Sequence, residues 1–458
     1  MKRNLISLAV ASAIVGVSGF ASAPAFAQSA DIESLKAQLA ALSAKIEQLE
    51  KSQTQTKKTV DEAQATADRT ADVVAQEKTR LSFAGDLRYR NESFDVQYVE
   101  RNRQRDRIRA RINANFRVND TMTGQLGIST GSTDPRSGNQ TLTDQNSRKD
   151  FDLDVAYVTW APNAKWKVTA GKQRYPWQRS GSLFFDNDVN PEGIAVNFAT
   201  GNFFAGTFYD WLAERALSFN NVTTGTNTDS IMFGGQVGYR IPISDATRLT
   251  VAATYFDFNG VQGYNPLFGA SSFGNTTVAG VANGCSRTLA AGTQCLLSDY
   301  DITEVFADLT TTVGGRPLRL FADYAQNGAA EMNATAQDEL DTAYAVGVSY
   351  GAASAVKGTW EFGVLYQQIE KDALFGQLLD SDFGDGNTDT KGFVLRGGYT
   401  LARNWTLNGT LFLNDLANDV AQQGIVVFNS ASPPPTRTIN NVFDRDYKRL
   451  QLDLNFRF

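Results

Sequence analysis

A strictly alternating stretch from Arg105 to Val118 is the feature that most constrains this chain. In it every odd position is Arg or Asn, and from Ile108 onward every even position is Ile, Ala, Phe or Val. A period of two places these sets on opposite faces of a β-strand, whereas a helix would scatter them around its surface. One face of the predicted strand is therefore a row of guanidinium and amide groups, and the other is hydrocarbon. Strands of a membrane β-barrel have this pattern, apolar toward lipid and polar toward a wet interior.

The same alternation recurs from residue 81 to the end of the chain. We count sixteen such segments, an even number that suits a closed antiparallel barrel. Connections after even-numbered segments are short, as at Asn119-Asp120, and those after odd-numbered segments are long, beginning with residues 91–104. This sorting is typical of outer-membrane barrels. We therefore predict an all-β transmembrane fold, a 16-stranded antiparallel outer-membrane β-barrel over residues 81–458, preceded by a periplasmic α-helical coiled-coil segment.

The first 27 residues predict export from the cytoplasm. Met1-Lys2-Arg3 is a basic head, Leu5–Val17 is apolar, and Ala25-Phe26-Ala27 has the small-x-small pattern of a cleavage site. This order is typical of a secretory signal peptide over residues 1–27. Because no later apolar run of about 20 residues follows, an exported chain is either free outside the inner membrane or inserted as a β-barrel. We predict the outer membrane of a Gram-negative bacterium.

Residues 28–80 are predicted to form the helical segment ahead of the barrel, on its periplasmic side. Apolar residues in its first part are spaced alternately three and four apart, which is the a/d seam of a coiled coil. The seam consists of Ile32, Leu35, Leu39, Leu42, Ile46 and Leu49. Because Ile and Leu mix at position a, we predict a homotrimer. The alternatives are an amphipathic helix packed on its own barrel, or a linker.

The chain contains no histidine. This absence removes Ser-His hydrolases, His-ligated metals and most general-base chemistry at neutral pH, so we predict neither enzymatic activity nor a cofactor. The net charge of -6 gives no hint of a nucleic-acid partner. Cys285 and Cys295 lie close together in a polar stretch, and in an exported protein this spacing predicts a disulfide that pins a loop. Two unpaired thiols are the alternative.

A sixteen-stranded barrel is too wide to be filled by its own side chains and leaves an aqueous channel. Charged residues on the polar faces of the strands are predicted to line it. They are Arg88, Arg90, Arg105, Arg107, Arg109, Arg111, Asp152, Asp154, Lys167 and Arg449. Such a row of arginines attracts anions. The alternative is that it mainly balances acidic neighbours and orders water.

Two of the long loops carry charged residues in a suggestive arrangement. The third, residues 173–192, is predicted to fold inward as a constriction; a lid over the mouth, or subunit contacts, are the alternatives. Its charged residues are Arg174, Arg179, Asp186, Asp188 and Glu192. The Gly-rich loop from Asp380 to Asp389 has calcium-ligand residue types without EF-hand spacing, so we expect a solvated acidic loop.

Several motifs resemble those of the bacterial family described as putative porins, more specifically in the first half of the chain. They are Gly85-Asp86-Leu87-Arg88-Tyr89-Arg90, Arg103–Arg111, Asn119-Asp120, Ser129–Ser137, Asp152-Leu153-Asp154, Gly171-Lys172-Gln173 and Asn190-Pro191-Glu192-Gly193. The resemblance implies an outer-membrane channel and leaves its solute open. The terminal Phe458 is similar to the signal that the outer-membrane assembly machinery recognises. The coiled coil is similar to those ahead of several porin barrels, which are commonly trimers.

These observations predict a passive outer-membrane porin, embedded in outer-membrane lipid, that passes small hydrophilic solutes or ions. An anion preference would come from the row of arginines. The alternative is a structural outer-membrane protein whose helix tethers the envelope, with any pore incidental.

Overall fold

The computed structural model describes residues 28–99, 102–143, 145–181, 185–214, 229–267, 271–286, 289, 292–428 and 436–458. The predicted signal peptide, residues 1–27, lies outside the described residues. The chain divides into two units between Glu77 and Lys78.

A single helix, α1, runs from Gln28 to Arg80. The part of its predicted seam that the structure describes is exposed, with Leu39 at 66%, Leu42 at 63%, Ile46 at 50% and Leu49 at 61% of full exposure. The side chains of the two earlier seam positions lie outside the described part. Among the described helices, none has the length and apolarity needed to cross a membrane.

Sixteen long strands form one closed sheet. They are β1 (Leu81–Val96), β2 (Arg103–Arg117), β3 (Met122–Thr130), β4 (Phe151–Trp160), β5 (Trp166–Lys172), β6 (Glu192–Thr200), β7 (Phe203–Ala213), β8 (Ser230–Ser244), β9 (Thr247–Asn259), β10 (Tyr300–Val313), β11 (Arg316–Asn327), β12 (Thr342–Gly351), β13 (Trp360–Ile369), β14 (Thr390–Ala402), β15 (Trp405–Leu416) and β16 (Arg445–Arg457). Each pairs antiparallel with its chain neighbours, and β16 pairs with β1 from Asp86↔Arg457 to Val96↔Tyr447. The predicted sixteen-stranded barrel with an N-terminal helix is confirmed.

Short elements decorate the loops. They are the strand Gln140–Thr141 on the edge of β2, the strand pairs Thr277–Ala279 with Gln294–Leu296 and Ile425–Phe428 with Thr436–Ile439, and the 3-10 turns Val281–Asn283, Gly376–Leu378 and Phe383–Gly386. A disulfide joins Cys285 to Cys295 beside the first of these pairs, with their Cα atoms 5.7 Å apart.

The outer face of the barrel is apolar and its inner face is polar, as strand β16 illustrates. Leu450 and Leu452 are 41% and 46% exposed on the outside, whereas Arg449 and Gln451 are buried on the inside. Because every second side chain points the same way, the exposed apolar positions of successive strands form a continuous belt. Lipid would cover such a belt.

The two ends of the barrel chain meet at the end that carries the short turns. The N–H of Gly85 donates to the carbonyl of Phe458 at 3.0 Å, and the N–H of Phe458 donates back at 3.1 Å. The N–H of Arg457 donates to the carbonyl of Asn404, in the turn between β14 and β15, at 3.0 Å. The long loops leave from the opposite end.

The prediction of a long first loop at residues 91–104 is wrong. Strand β1 continues to Val96, and its last residues pair with the start of β2, with Glu92 opposite Arg105. A carboxylate facing a guanidinium across the sheet stabilises this extension. The connection therefore shortens to residues 97–102.

A β-bulge interrupts the alternation in β4. The register with β3 shifts between Gly127, opposite Val155, and Ile128, opposite Leu153. The bulge makes Asp154 the extra residue, so Asp154 and Val155 both lie on the inside. Unbroken alternation from Phe151 to Tyr157 would place Val155 on the outer face, but its side chain is fully buried.

A hydrophobic core fills part of the inside of the barrel. Two long loops, residues 173–191 and 370–389, fold inward and pack against inward-facing side chains of the strands. The core includes Trp177, Phe185, Phe208, Phe256, Phe258, Tyr300, Leu374, Phe375 and Leu378. This part of the interior is filled because side chains of the two loops pack on aromatic side chains of the wall, such as Phe208, Phe256 and Phe258.

Candidate functional site

Loop L3, defined as residues 173–191, begins and ends against the wall formed by β2 and β4. Arg174 donates to a carboxylate oxygen of Asp154 at 3.3 Å, and Asn190 donates to the other oxygen at 2.8 Å. At the same wall, Asp188 accepts from Arg109 at 3.0 Å. Both limbs of L3 are therefore attached on one side of the barrel.

The middle of L3 is attached to the opposite side. The N–H of Gln178 donates to the side chain of Gln236 on β8 at 2.8 Å, and that side chain donates back to the carbonyl of Gln178 at 2.9 Å. Further along, the hydroxyl of Ser180 donates to Asp323 on β11 at 3.1 Å. L3 thus crosses the interior from one wall to the other.

An aromatic cluster anchors L3 between these polar contacts. The ring of Trp177 lies 4.3 Å from that of Phe208 and 5.4 Å from that of Phe256, centroid to centroid. Phe185, on the returning limb, stacks on Tyr175 at 5.9 Å. Burial of rings of this size dominates the energetics of such a contact.

Loop L7, defined as residues 370–389, is a second inward loop. Residues 372–379 are buried, and Asp382 forms ion pairs with Arg90 at 3.0 Å and with Arg449 at 2.7 Å. The expectation of a solvated acidic loop is wrong, because guanidinium groups of the wall draw this carboxylate inward. Among the described residues, no group of acidic side chains is arranged to hold a metal ion.

L3 and L7 meet inside the barrel. The N–H of Asp186 donates to the carbonyl of Leu378, and its carboxylate accepts the N–H of Ser381, both at 2.8 Å. Burial, with the nearby carboxylate of Asp380, raises the pKa of Asp186 well above its usual range. Burial also raises the pKa of Asp380. Both carboxyls therefore favour the neutral form more than a solvated aspartate does.

The other carboxylate on each loop has the opposite shift. Although burial works against it, Arg109 lowers the pKa of Asp188. Burial likewise opposes the ionised form of Asp382, but Arg449 and Arg90 lower its pKa far below the usual range. The geometry thus divides four aspartates into two ion-paired ones and two unpaired ones.

The part of the inner wall nearer the long-loop end is organised around Glu92, which is fully buried. Its carboxylate pairs with Arg105 and accepts a hydrogen bond from Arg449 at 2.5 Å. The guanidinium of Arg107 lies 4.0 Å from the same carboxylate. Gln451 donates to it at 3.2 Å. One carboxylate therefore neutralises part of the row of arginines.

The part of the arginine row nearer the short-turn end is neutralised by two aspartates. Asp86 pairs with Arg111 at 2.7 Å and with Arg109 at 3.1 Å. Asp188 of L3 lies 3.4 Å from Arg111 and 3.0 Å from Arg109. Beside them, Arg90 forms a two-point contact with Asp453, at 2.7 and 2.8 Å.

The remaining predicted residues also lie on the inner face or in L3, with one exception. Asp152 is opposite Ser129, which in turn is opposite Arg111, so all three share the inner face. Lys167 lines a cavity of about 740 Å³ at the short-turn end. Glu192 was assigned to L3 but is the first residue of β6, where it pairs with Lys172 at 2.8 Å.

A smaller cavity of about 180 Å³ lies between L3, L7 and the wall, and we call it the charged cavity. Its charged lining consists of Arg88, Arg90, Arg109, Arg136, Arg396, Asp186, Asp188, Asp380 and Asp382. Four of these residues, Arg136, Arg396, Asp380 and Asp382, were not among those predicted to line the channel. Arg396 has a detectable signal, because the alternation of β14 places it on the other face from Phe393. The two aspartates had been noted as calcium-ligand types and were expected to be solvated.

A closed antiparallel barrel of sixteen strands, with an apolar belt outside and charged groups inside, defines the class of outer-membrane barrel channels. Residues 55–420 match the family described as "Putative porin". The chain belongs to this family, whose members are outer-membrane channels rather than enzymes.

Two solved structures are similar to this chain, and the likeness of the first is high enough to show a shared fold. OprB of Pseudomonas putida, in its high-pH structure, is 14% identical, with a TM-score of 0.52 over 85% of this chain and 97% of that one. OmpT of Vibrio cholerae, in its trimer form, is 13% identical, with a TM-score of 0.41 over 82% of this chain and 99% of that one. At 14% identity the likeness to OprB shows the fold alone. Among curated proteins, none matches the sequence significantly.

Proposed function

We propose that the protein is a passive porin through which small hydrophilic solutes or ions diffuse across the outer membrane, with a preference for anions. The observation that carries this proposal is the charged inner wall of a closed barrel, because apolar groups would suffice if the interior were dry. The ten residues predicted to line the channel are proposed to keep that role. The proposed route leads from the charged cavity past L3 into the 740 Å³ cavity at the short-turn end, and its support is that residues of L3 line both cavities.

L3 is proposed as the constriction of this route. Support comes from its attachment to both walls, through Asp188 on one side and Ser180 on the other. Arg174 and Arg179 supply basic groups to the loop, and Asp186 and Asp188 supply acidic ones. A solute passing L3 would therefore meet charges of both signs within a narrow space.

The anion preference is proposed to be weaker than the row of arginines suggests. Arg105, Arg109 and Arg111 each have a close carboxylate partner, whereas the carboxylate nearest to Arg107 in the described part of the chain is 4.0 Å away. Paired guanidiniums contribute little net field to a passing ion. Selectivity would then depend on the few cationic groups that remain unpaired.

Planar-bilayer recording on the refolded mature chain, with a salt gradient across the membrane, tests the proposal. We expect discrete conductance steps and a reversal potential that favours chloride over potassium. A reversal potential that favours potassium would contradict the anion preference and leave the channel standing. No steps from protein shown to be folded would contradict the channel itself and favour a structural role.

We further propose that α1 lies in the periplasm and joins three chains through its seam. Support comes from the exposure of its leucines and from the position of the barrel termini at the short-turn end, which faces the periplasm in barrels of this class.

Lipid is the proposed partner of the outer belt. The assembly machinery is the proposed partner of the last strand, whose Phe458 is 61% exposed; a smaller yield of assembled barrel from Phe458→Ala would support this.

Polar substitutions in the seam are expected to abolish the trimer. Leu42→Asn with Ile46→Asn places amides at d and a positions, which weakens a coiled coil, whereas Ala44→Asn places one outside the seam. Sedimentation in detergent should give a trimer for the wild type and for the control, and a monomer for the seam variant. A trimer that survives the seam variant would show that the barrels associate without the helix.

The exposed seam also favours a second candidate, a structural protein that tethers the envelope. Deleting residues 31–80 distinguishes the two. Loss of envelope integrity with unchanged permeability would favour the tether.

A further inference from the structure

The charged cavity contains arginines that differ in how they are neutralised. Three of its five have a carboxylate partner: Arg90 pairs with Asp453 and Asp382, Arg109 with Asp188, and Arg136 with Asp134 at 3.2 Å. These three guanidiniums are held by ion pairs that a ligand would have to break. They are therefore not available to a ligand without the loss of an existing ion pair.

Arg88 and Arg396 are different. Within the described residues, neither has a carboxylate within 4.0 Å. Arg88 donates from Nη2 to the side-chain oxygen of Asn139 at 2.6 Å, and its Nε is buried without a partner. Arg396 is exposed to the cavity next to Thr410, its cross-strand neighbour on β15. Both guanidiniums thus line the same cavity, and neither is neutralised by a carboxylate of the described residues.

The two unpaired carboxyls of the cavity do not cancel these charges fully. Asp186 accepts the backbone N–H groups of Asp188 at 2.9 Å and of Ser381 at 2.8 Å. Asp380 accepts the N–H of Asp382 at 2.8 Å. Both side chains are thus turned toward loop backbone, and burial raises the pKa of each. Five arginines and four aspartates line the cavity, so its lining carries one more positive than negative formal charge.

We propose that the charged cavity binds a small oxyanion, a carboxylate or a phosphate, between the guanidiniums of Arg88 and Arg396. Guanidinium groups match the geometry of such oxygens in two-point contacts. A volume of about 180 Å³ corresponds to roughly six water molecules, which suits an inorganic phosphate or a four-carbon dicarboxylate. A role of this site in permeation rests on the proposed function, but binding to it does not.

Titration calorimetry on the full folded chain in detergent, with inorganic phosphate and separately with succinate, tests the site. We expect saturable binding of at least one probe, weakened about tenfold or more in Arg88→Gln with Arg396→Gln. Whichever probe binds identifies the source of the oxyanion. Arg403→Gln, in the exposed turn between β14 and β15, removes the same group outside the cavity and should bind as the wild type does.

Circular dichroism confirms that each variant is folded, and Arg396→Gln alone replaces the double variant if that one fails to fold. Equal binding by wild type and folded variant, or binding of neither probe by the wild type, overturns the site. Bilayer recording on the same samples separates the two proposals. Binding without conductance would contradict the proposed channel and support the anion site. Conductance without binding would contradict the anion site alone.

Discussion

Replacing Trp177 by alanine is expected to free loop L3 from the inner wall and to raise the single-channel conductance. The ring is 6% exposed and packs on Phe208 and Phe256. Loss of a buried tryptophan weakens packing by about 3–5 kcal/mol, which is comparable to what holds a loop in place. Open-channel current should increase and become noisier, and L3 should become sensitive to protease, while the barrel itself stays folded.

The matched control is the same substitution on the outer face. Trp211 is 52% exposed there, so Trp211→Ala should leave the conductance and the protease sensitivity of L3 at wild-type values. If Trp177→Ala also behaves as the wild type, the polar contacts of Gln178 and Ser180 suffice to dock L3. In that case the aromatic cluster is not what holds the constriction.

Replacing Arg449 by methionine is expected to have the largest effect on stability. The guanidinium is 1% exposed and lies 2.5 Å from Glu92 and 2.7 Å from Asp382. Removing one partner of a buried ion pair leaves an uncompensated charge, at a loss of about 3–5 kcal/mol in the free energy of unfolding. Urea unfolding in detergent should show a lower midpoint. The reversal potential should move toward cation preference, because Glu92 and Asp382 lose the guanidinium that neutralises them.

Two further variants isolate the cause. Lys448→Met changes the neighbouring residue, whose side chain is 51% exposed and pairs with Asp446, and the free energy of unfolding should change by about 0–1 kcal/mol. Adding Glu92→Gln to Arg449→Met removes much of the uncompensated charge and should recover part of the loss. A double variant less stable than the sum of the two single changes would contradict this account of the Glu92 pair.

The barrel follows from local sequence patterns. A period of two requires strands, and the lengths of their connections distinguish one rim from the other. The bulge at Asp154 could not be predicted in this way, because inserting one residue into a ladder alters no residue type. The length of β1 was underestimated for a similar reason: Glu92 looks like a loop residue until its partner Arg105 is known.

The inward loops depend on contacts between distant parts of the chain. Asp382 pairs with Arg90, and Glu92 with Arg449, across almost the whole length of the barrel sequence. No local pattern marks the residues of L7 for burial, because the arginines that attract them lie on β1 and β16, which only the closure of the sheet brings together.

By itself, the sequence determined the closed barrel, its number of strands, its apolar outside and the row of arginines inside. These features need only the side-chain period of a strand and the requirement that a membrane-facing backbone be fully paired. Only the tertiary structure decided which arginines have a carboxylate beside them. Arg109 pairs with Asp188 of L3 and Arg449 with Asp382 of L7, whereas Arg88 and Arg396 have no such partner among the described residues. The field of a charge depends on neighbours within a few ångströms, and those neighbours come from distant parts of the chain.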